Sequence, residues 1–319
     1  GTQLQMLLEG IIARCRKAIQ NSIDPETGLL HTYYLHEPQE APHDSCAVSS
    51  FLAAPLPVFL EGQVHWSRVC SSQTAQRIST AVRQSPLLDS HLNMYKLNES
   101  LENCSPEIGR ARTFTRGWFE NESVWLHMSY KYLLELLKHG LYEDFFADAQ
   151  TMLVPFMKPE VYGRSILENS SFIASSVCPD PDARGCGFVA RLSGSTAEFI
   201  HIWLLLTVGS KPFRLRSDRL VFAPAPALPG SWFTREPKTL RWKDQTFSIP
   251  EDTFSCALLA ETLLVYHNPR RRNTYGSGAV RTVQYIVDKK TTLEEPELTG
   301  RFARLLRERK IKRLDIHLA

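Results

Sequence analysis

Residues 110–140 read RARTFTRGWFENESVWLHMSYKYLLELLKHG, and this stretch combines a polar segment with a candidate helix. It opens with three arginines, passes through the polar cluster 120–123 and ends in an apolar run that stops at Gly140. Apolar side chains recur every three or four residues in that run, which predicts an amphipathic helix. Asn121 is a favoured N-cap residue, so we expect the helix to begin near it. The residues expected on its buried face are Val124, Trp125, Met128, Tyr132, Leu133, Leu136 and Leu137.

His127 is expected in the first turns of this helix, where free amide donors and the positive end of the helix dipole lie. A histidine there can be purely structural, and Glu120 and Glu122 can be first-turn acids that complement the dipole. The alternative hypothesis is a wall of a sugar- and anion-binding site, because such a site needs polar groups held at a rigid helix start. The substrate-binding candidates under this hypothesis are Arg116, Trp118, Glu120 and Asn121.

A second polar cluster, YGRSILENSSF, covers residues 162–172. Arg164 and Asn169 are further substrate-binding candidates, and Glu168 is a weak candidate for a catalytic carboxylate, together with Glu122. The alternative for Arg164, Glu168 and Asn169 is a structural ion-pair loop.

A third element, RLSGSTAE at residues 191–198, precedes a nearly continuous apolar run that ends at Val208. Ser195 and Glu198 have the spacing of a capping box. The run predicts a helix over residues 197–208 that is buried on most sides. Small residues at a helix start allow an anion to reach free backbone amides, so an anion site is one interpretation and a plain capped core helix the other.

Composition excludes several classes of protein. The chain has 319 residues, 43% of them hydrophobic, with a formal net charge of +3, so a sizeable core is expected and a nucleic-acid partner is not. No apolar run is long enough for a membrane helix, and no secretion leader opens the sequence, so we expect a cytoplasmic protein without a membrane partner. The seven cysteines include no CxxC pair, so no metal is expected. Reduced thiols are favoured, although Cys178 and Cys186 could pair if oxidised.

The order of elements predicts helices first and strands last. Helices are expected over residues 4–20 and 69–83 and near 141–153. Short alternating segments follow from about residue 220 and predict strands at 239–242, 246–249, 263–267, 280–287 and 311–318. We therefore expect a mainly α protein, with a helical domain over residues 1–219 and a β-rich domain over residues 220–319.

Three segments together resemble one enzyme family. Residues 120–127, ENESVWLH, are similar to the E-N-G-G-x-x-x-H segment of the inverting glycoside phosphorylases related to cellobiose phosphorylase. Residues 193–195, SGS, are similar to their T-G-S segment, and residues 220–232 carry a similar L-x-F-x-P and L-P-x-x-W pattern. The resemblance covers roughly residues 70–232. Glu122-Ser123 replaces the family's Gly-Gly, and Ser193 replaces its threonine.

The resemblance implies the C-terminal part of an (α/α)6 toroid followed by a β-rich domain. It implies that His127, Ser193 and Gly194 bind phosphate and that Glu120 and Asn121 line the sugar site. The family's general acid is an aspartate in an earlier part of the toroid, and the sequence offers no match for it. Too few helices precede residue 110 for six hairpins, so we expect part of a longer enzyme or a diverged relative.

The implied chemistry is cleavage of a β-glucosidic bond by inorganic phosphate, which acts as co-substrate with no further cofactor. The expected partner is a disaccharide or oligosaccharide. The sequence does not decide whether the protein forms a homodimer. One alternative is a glycoside hydrolase on the same scaffold, in which Glu122 and Glu168 act as the paired carboxylates. The other is a carbohydrate-binding module without catalytic activity.

Overall fold

The computed structural model describes residues 1–39, 50–189 and 193–319. They divide into two compact units, Gly1–Ile200 and His201–Ala319, whereas the sequence predicted a boundary after residue 219. The described residues are 36% helical and 25% strand, with nine α-helices and six small sheets. The predicted mainly α fold with a partial (α/α)6 toroid is therefore wrong, because the fold is mixed.

The helices predicted over 4–20, 69–83, 141–153 and 197–208 are all present, while α2, α4, α7 and α9 were not predicted. The helices are, in chain order, α1 (Thr2–Ser22), α2 (Leu60–Ser67), α3 (Ser72–Gln84), α4 (Arg110–Thr113), α5 (Leu126–Lys138), α6 (Tyr142–Met152), α7 (Pro159–Tyr162), α8 (Ser193–Val208) and α9 (Gly300–Arg307).

Three helices of the first unit, α2, α3 and α6, pack around α5, and these helices do not form hairpins in a ring. α5 contacts α2, α3 and α6, and it buries nine of its residues. α1 has no buried residue, and its Leu4 and Leu7 are more than half exposed. A periodic apolar stripe predicts that a helix has a packing face, but it does not specify which element covers that face. This is why the toroid prediction failed although the helices themselves were found.

The strands of the first unit are short. They are β1 (Tyr34–Gln39), β2 (Ser50–Pro55), β3 (Leu88–Asp89), β4 (Met94–Tyr95), β5 (Val124–Trp125), β6 (Phe172–Ile173) and β7 (Gly187–Phe188). β1 pairs with β2 and β3 with β4, and β6 lies between β5 and β7 in an antiparallel sheet.

The start of α5 differs from the prediction. The helix begins at Leu126 rather than near Asn121, because the preceding residues form a bridge between Trp118 and Asn121 and then strand β5. Glu122 has φ of 57°, a left-handed conformation that cannot belong to an α-helix. His127 therefore lies in the first turn of α5.

The second unit contains the remaining strands. They are β8 (Phe213–Arg216), β9 (Arg219–Phe222), β10 (Lys238–Trp242), β11 (Gln245–Ile249), β12 (Thr253–Leu258), β13 (Thr262–His267), β14 (Thr282–Val287), β15 (Thr291–Leu293), β16 (Leu298–Thr299) and β17 (Arg313–Leu318). The largest sheet has the order β12-β13-β17-β14-β15, with β13 and β17 parallel. A second sheet has the order β16-β9-β8, and β10 pairs with β11.

One helix is less buried than the sequence predicted. The helix after residue 197 was expected to be buried on most sides, but Ile200 is 52% and Leu204 43% exposed, so α8 has an open apolar side.

None of the described helices combines the length and the apolar composition that crossing a membrane requires. Cys178 and Cys186, which the sequence allowed to pair, are both free thiols.

A carboxylate is buried where α3, α6 and β4 meet. The Tyr95 hydroxyl donates a hydrogen bond to Asp148 Oδ2 at 3.1 Å, and Arg83 Nη2 lies 3.1 Å from Asp148 Oδ1. Burial raises the pKa of Asp148 to about 6, although Arg83 and Tyr95 act in the opposite direction.

This shift predicts a pH dependence of stability. The pKa of Asp148 in the folded chain lies above its ordinary value of 3.8, so its stabilising contribution is complete below that value. The contribution is lost as pH rises through about 6, and it amounts to about 3 kcal/mol. We expect Asp148→Asn to remove this component from the free energy of unfolding measured by urea titration between pH 4 and 7. Parallel pH profiles for the wild type and Asp148→Asn would contradict it.

Candidate functional site

The starts of α5 and α8 are held by two adjacent backbone carbonyls. The Leu126 amide donates to the Ser171 carbonyl at 3.1 Å, and Ser195 Oγ donates to the Ser170 carbonyl at 3.2 Å. Both serines are buried immediately before β6, which pairs with β5 and β7. Segments that are about 70 residues apart in the sequence are therefore fixed side by side.

This arrangement brings the His127 ring against Gly194. A Cβ atom added at Gly194 would lie 2.8 Å from His127 Nδ1 and 3.0 Å from Cε1, so only glycine leaves the ring in this place. Gly194 and Ser193 form the first turn of α8, where backbone amides lack partners within the helix. The three predicted phosphate-binding residues, His127, Ser193 and Gly194, thus meet at one helix start.

The surroundings of His127 carry positive charge. Its side chain is 41% exposed, and its Nε2 lies 3.6 Å from Glu198 Oε1. Burial lowers the pKa of His127, and the positive charges of Lys131 and Arg68 lower it further, against the opposing effect of Glu198. A largely neutral ring at neutral pH offers one N–H donor, and a bound anion would raise its pKa again.

Glu122 belongs to a different, closed cluster. Its side chain is 1% exposed, and Lys96 Nζ donates to its Oε1 at 2.8 Å. Arg116 Nε donates to its Oε2, and Arg116 also reaches Glu102 at 2.8 Å. Burial alone would raise the pKa of Glu122, but the hydrogen bonds from Arg116 and Lys96 outweigh it and lower the pKa. A carboxylate held this way stays ionised, which favours a structural role for Glu122 and Arg116 over catalysis or substrate binding.

Glu120 and Asn121 each have one unsatisfied oxygen. Arg110 donates to Glu120 Oε1 at 2.5 Å, and the Asn121 amide nitrogen donates to the Phe114 carbonyl at 2.7 Å. Glu120 Oε2 and Asn121 Oδ1 are buried with no hydrogen-bond partner among the described residues. Buried acceptors without donors are costly, so a ligand hydroxyl would be a suitable partner for either.

Trp118 lies in an aromatic cluster on the β5-β6-β7 sheet. Its ring centroid is 4.3 Å from that of Phe188 and 5.2 Å from that of Phe172. Trp125 stacks on the same Phe172 at 6.1 Å and donates its indole N–H to the Phe119 carbonyl. Trp118 thus packs against protein rings, which explains its position without a sugar.

The polar side chains of residues 162–172 form hydrogen bonds and an ion pair with other protein groups. Arg164 Nε donates to the Gly187 carbonyl at 2.6 Å, and its Nη1 lies 3.6 Å from Glu168, which is 52% exposed. Asn169 Oδ1 accepts a hydrogen bond from the Tyr130 hydroxyl at 2.8 Å. These contacts fit the structural alternative, a loop that supports the segment before Ser170.

Sequence reasoning missed several residues that shape the site. Ser195 does not cap α8, because the helix already begins at Ser193 and the Ser195 hydroxyl holds Ser170 instead. Glu198, assigned to that capping box, faces His127. Lys96 has no local signal at all, since its partner Glu122 lies 26 residues away. The i, i+4 spacing of His127 and Lys131 was the one visible indication of the positive surroundings.

Neither a scan against known protein families nor a search of curated proteins finds a match to this chain.

The closed cluster around Glu122 generates a stability prediction. Glu122→Gln leaves Lys96 and Arg116 without their shared buried counter-charge, so the free energy of unfolding should fall by about 3 kcal/mol. The matched control is Glu102→Gln, which removes the 55% exposed partner of Arg116 and should cost less than about 1 kcal/mol. Urea unfolding measures both. Equal effects of the two substitutions would show that Glu122 is not the anchor of the cluster.

Proposed function

We propose that the first unit binds inorganic phosphate between His127 and the first turn of α8, and that this phosphate attacks a β-glucosidic bond. The observation that carries the proposal is the contact between the His127 ring and Gly194. Free amides at a helix start attract anions, and the helix dipole adds to the attraction. Lys131 supplies further positive charge near the imidazole, whereas the charge of Arg68 is largely matched by Glu135 at 3.3 Å.

Each protein group has a defined part in this proposal. The amides of the first turn of α8 donate hydrogen bonds to phosphate oxygens, and His127 donates another from its protonated nitrogen. Glu198, 3.6 Å from His127 Nε2, favours the protonated ring once the anion is present. Phosphate then replaces the base and the water of an inverting hydrolase. As the bond between phosphate and the anomeric carbon forms, the bond to the leaving oxygen breaks. The hydrogen-phosphate ion supplies the proton that this oxygen takes, because none of the residues assigned to the site does.

The sugar side of the proposal rests on Glu120 and Asn121. Their unsatisfied oxygens are acceptors of the kind that sugar hydroxyls, which are good donors, can satisfy. Both residues precede His127 by six or seven positions, on the short connection that leads into α5. A disaccharide or short oligosaccharide is the proposed substrate class.

The hydrolase alternative has less support. It needs one carboxyl group that donates a proton and a second that activates water. Glu122 is held by two cations with a lowered pKa, and Glu168 is half exposed beside Arg164. Glu122 thus lacks the raised pKa that a general acid needs at neutral pH, and the carboxylate of Glu168 is paired with Arg164.

Phosphate binding is the first test. Isothermal titration with inorganic phosphate should show a site that His127→Ala and Gly194→Ala each weaken by at least about tenfold, because one removes a donor and the other displaces the ring. The matched control is His65→Ala, which alters a 52% exposed histidine on α2 and should leave binding unchanged. All variants should retain the wild-type unfolding midpoint. Unchanged phosphate affinity in His127→Ala would reject the site.

Activity on β-glucosidic disaccharides is the second test. Release of glucose 1-phosphate only when phosphate is present supports phosphorolysis. Equal cleavage without phosphate would favour the hydrolase, and saturable sugar binding without any cleavage would favour the binding module. Either of these two outcomes overturns the proposed reaction, although the phosphate site itself is judged by the titration.

A further inference from the structure

Two concavities on the second unit lie side by side and are lined by arginines. The first, of about 620 Å³, includes Arg214 and Arg216 of β8, and the second, of about 600 Å³, includes Arg219 of β9 with Arg301 and Arg304 of α9. Thr299 of β16 lines both. The sheet order β16-β9-β8 and the packing of α9 on β9 and β16 place these groups on one continuous surface.

The first concavity is electrostatically compensated. Arg214 Nη2 lies 2.7 Å from Glu297 Oε1, and Arg216 Nη1 lies 2.9 Å from Glu297 Oε2. The same lining also holds a second acid, Glu295, and a third arginine, Arg281, so its positive and negative groups nearly balance. Guanidinium groups that already share a carboxylate have less to gain from an outside anion.

The second concavity has an excess of positive charge, with three arginines and one acid among its lining residues. Among the described residues, the side chains of Arg219, Arg301 and Arg304 have no ion pair or hydrogen bond, and all three residues are exposed. Glu308 is the one acid among the lining residues; Arg304 acts on its charge, but Lys310 holds its carboxylate at 2.7 Å. The two helix arginines, Arg301 and Arg304, lie on the exposed side of α9, because Ala303 and Leu306 on its other side are fully buried.

We propose that the concavity of Arg219, Arg301 and Arg304 binds a small, multiply charged phosphate compound, such as a polyphosphate or a phosphate ester. Arg301 and Arg304 are three residues apart and so share one face of α9, while Arg219 approaches from a neighbouring strand. Guanidinium forks are suited to phosphate oxygens, and an anion relieves the repulsion between like charges. A volume of about 600 Å³ matches small-molecule sites rather than the track of a long polymer.

The test uses tripolyphosphate and inorganic phosphate as probes at constant ionic strength, with every protein carrying His127→Ala so that the other proposed anion site is silent. We expect tripolyphosphate to bind more tightly than phosphate. The double variant Arg301→Gln/Arg304→Gln should weaken tripolyphosphate binding by at least about tenfold. The matched control, Arg214→Gln/Arg216→Gln, removes the same charge from the first concavity and should change the affinity by less than about twofold.

Three results would overturn the proposal: no tripolyphosphate binding by the folded protein, no loss in the Arg301/Arg304 double variant, or equal loss in both double variants. Titration with a single-stranded oligonucleotide provides a separate check. Oligonucleotide binding that is tighter than tripolyphosphate binding and depends on both arginine pairs would indicate an extended nucleic-acid surface instead. Thermal unfolding of each variant establishes that lost binding does not reflect lost folding.

Discussion

The carbonyl groups of Ser170 and Ser171 accept hydrogen bonds from two helix starts that are distant in the sequence, one at Leu126 and one at Ser195. Both carbonyls are buried at the entrance to β6, where leaving them without donors would be costly. Satisfying them with donors from α5 and α8 fixes the two helices relative to each other. The contact of His127 with Gly194 follows from this constraint, and so does every chemical role proposed for the site.

The charges of the first unit are separated into two settings. Around Glu122, two cations surround one buried carboxylate. The cluster is closed because these charges already pair with one another. Around His127, Lys131 and the Glu135-paired Arg68 act on a partly exposed ring, with Glu198 as the opposing acid. A closed cluster stabilises a fold, whereas an open one with excess positive charge leaves room for an anion. The two settings lie within six residues of each other because the backbone turns at Glu122 and α5 starts at Leu126.

The sequence predicted those parts of the structure that depend on local pattern. Apolar patterns, periodic in α1 and α3 and nearly continuous in α8, located these helices and α6, and alternation located β10, β11, β13, β14 and β17. Two-residue strands such as β5 and β6 have too few residues to show a period, so the start of α5 was misplaced. The fold class failed for another reason: amphipathic helices in series do not reveal whether they close into a ring. Tertiary packing alone brings Lys96 to Glu122 and Ser170 to Ser195. The meeting of His127 with Gly194 was expected from a family resemblance, since no local pattern links residues so far apart.

The central claim is that the imidazole of His127 and the first-turn amides of α8 form one anion site. Phosphate titration followed by NMR at constant ionic strength tests it most directly, with the Gly194 and Ser195 amide signals and the His127 ring signals recorded together. We predict that all three move along saturating curves with one common dissociation constant, and that the Gly194 and Ser195 shifts disappear in His127→Ala. Ring and amide shifts that saturate at different phosphate concentrations, or amide shifts that persist in His127→Ala, would contradict the account.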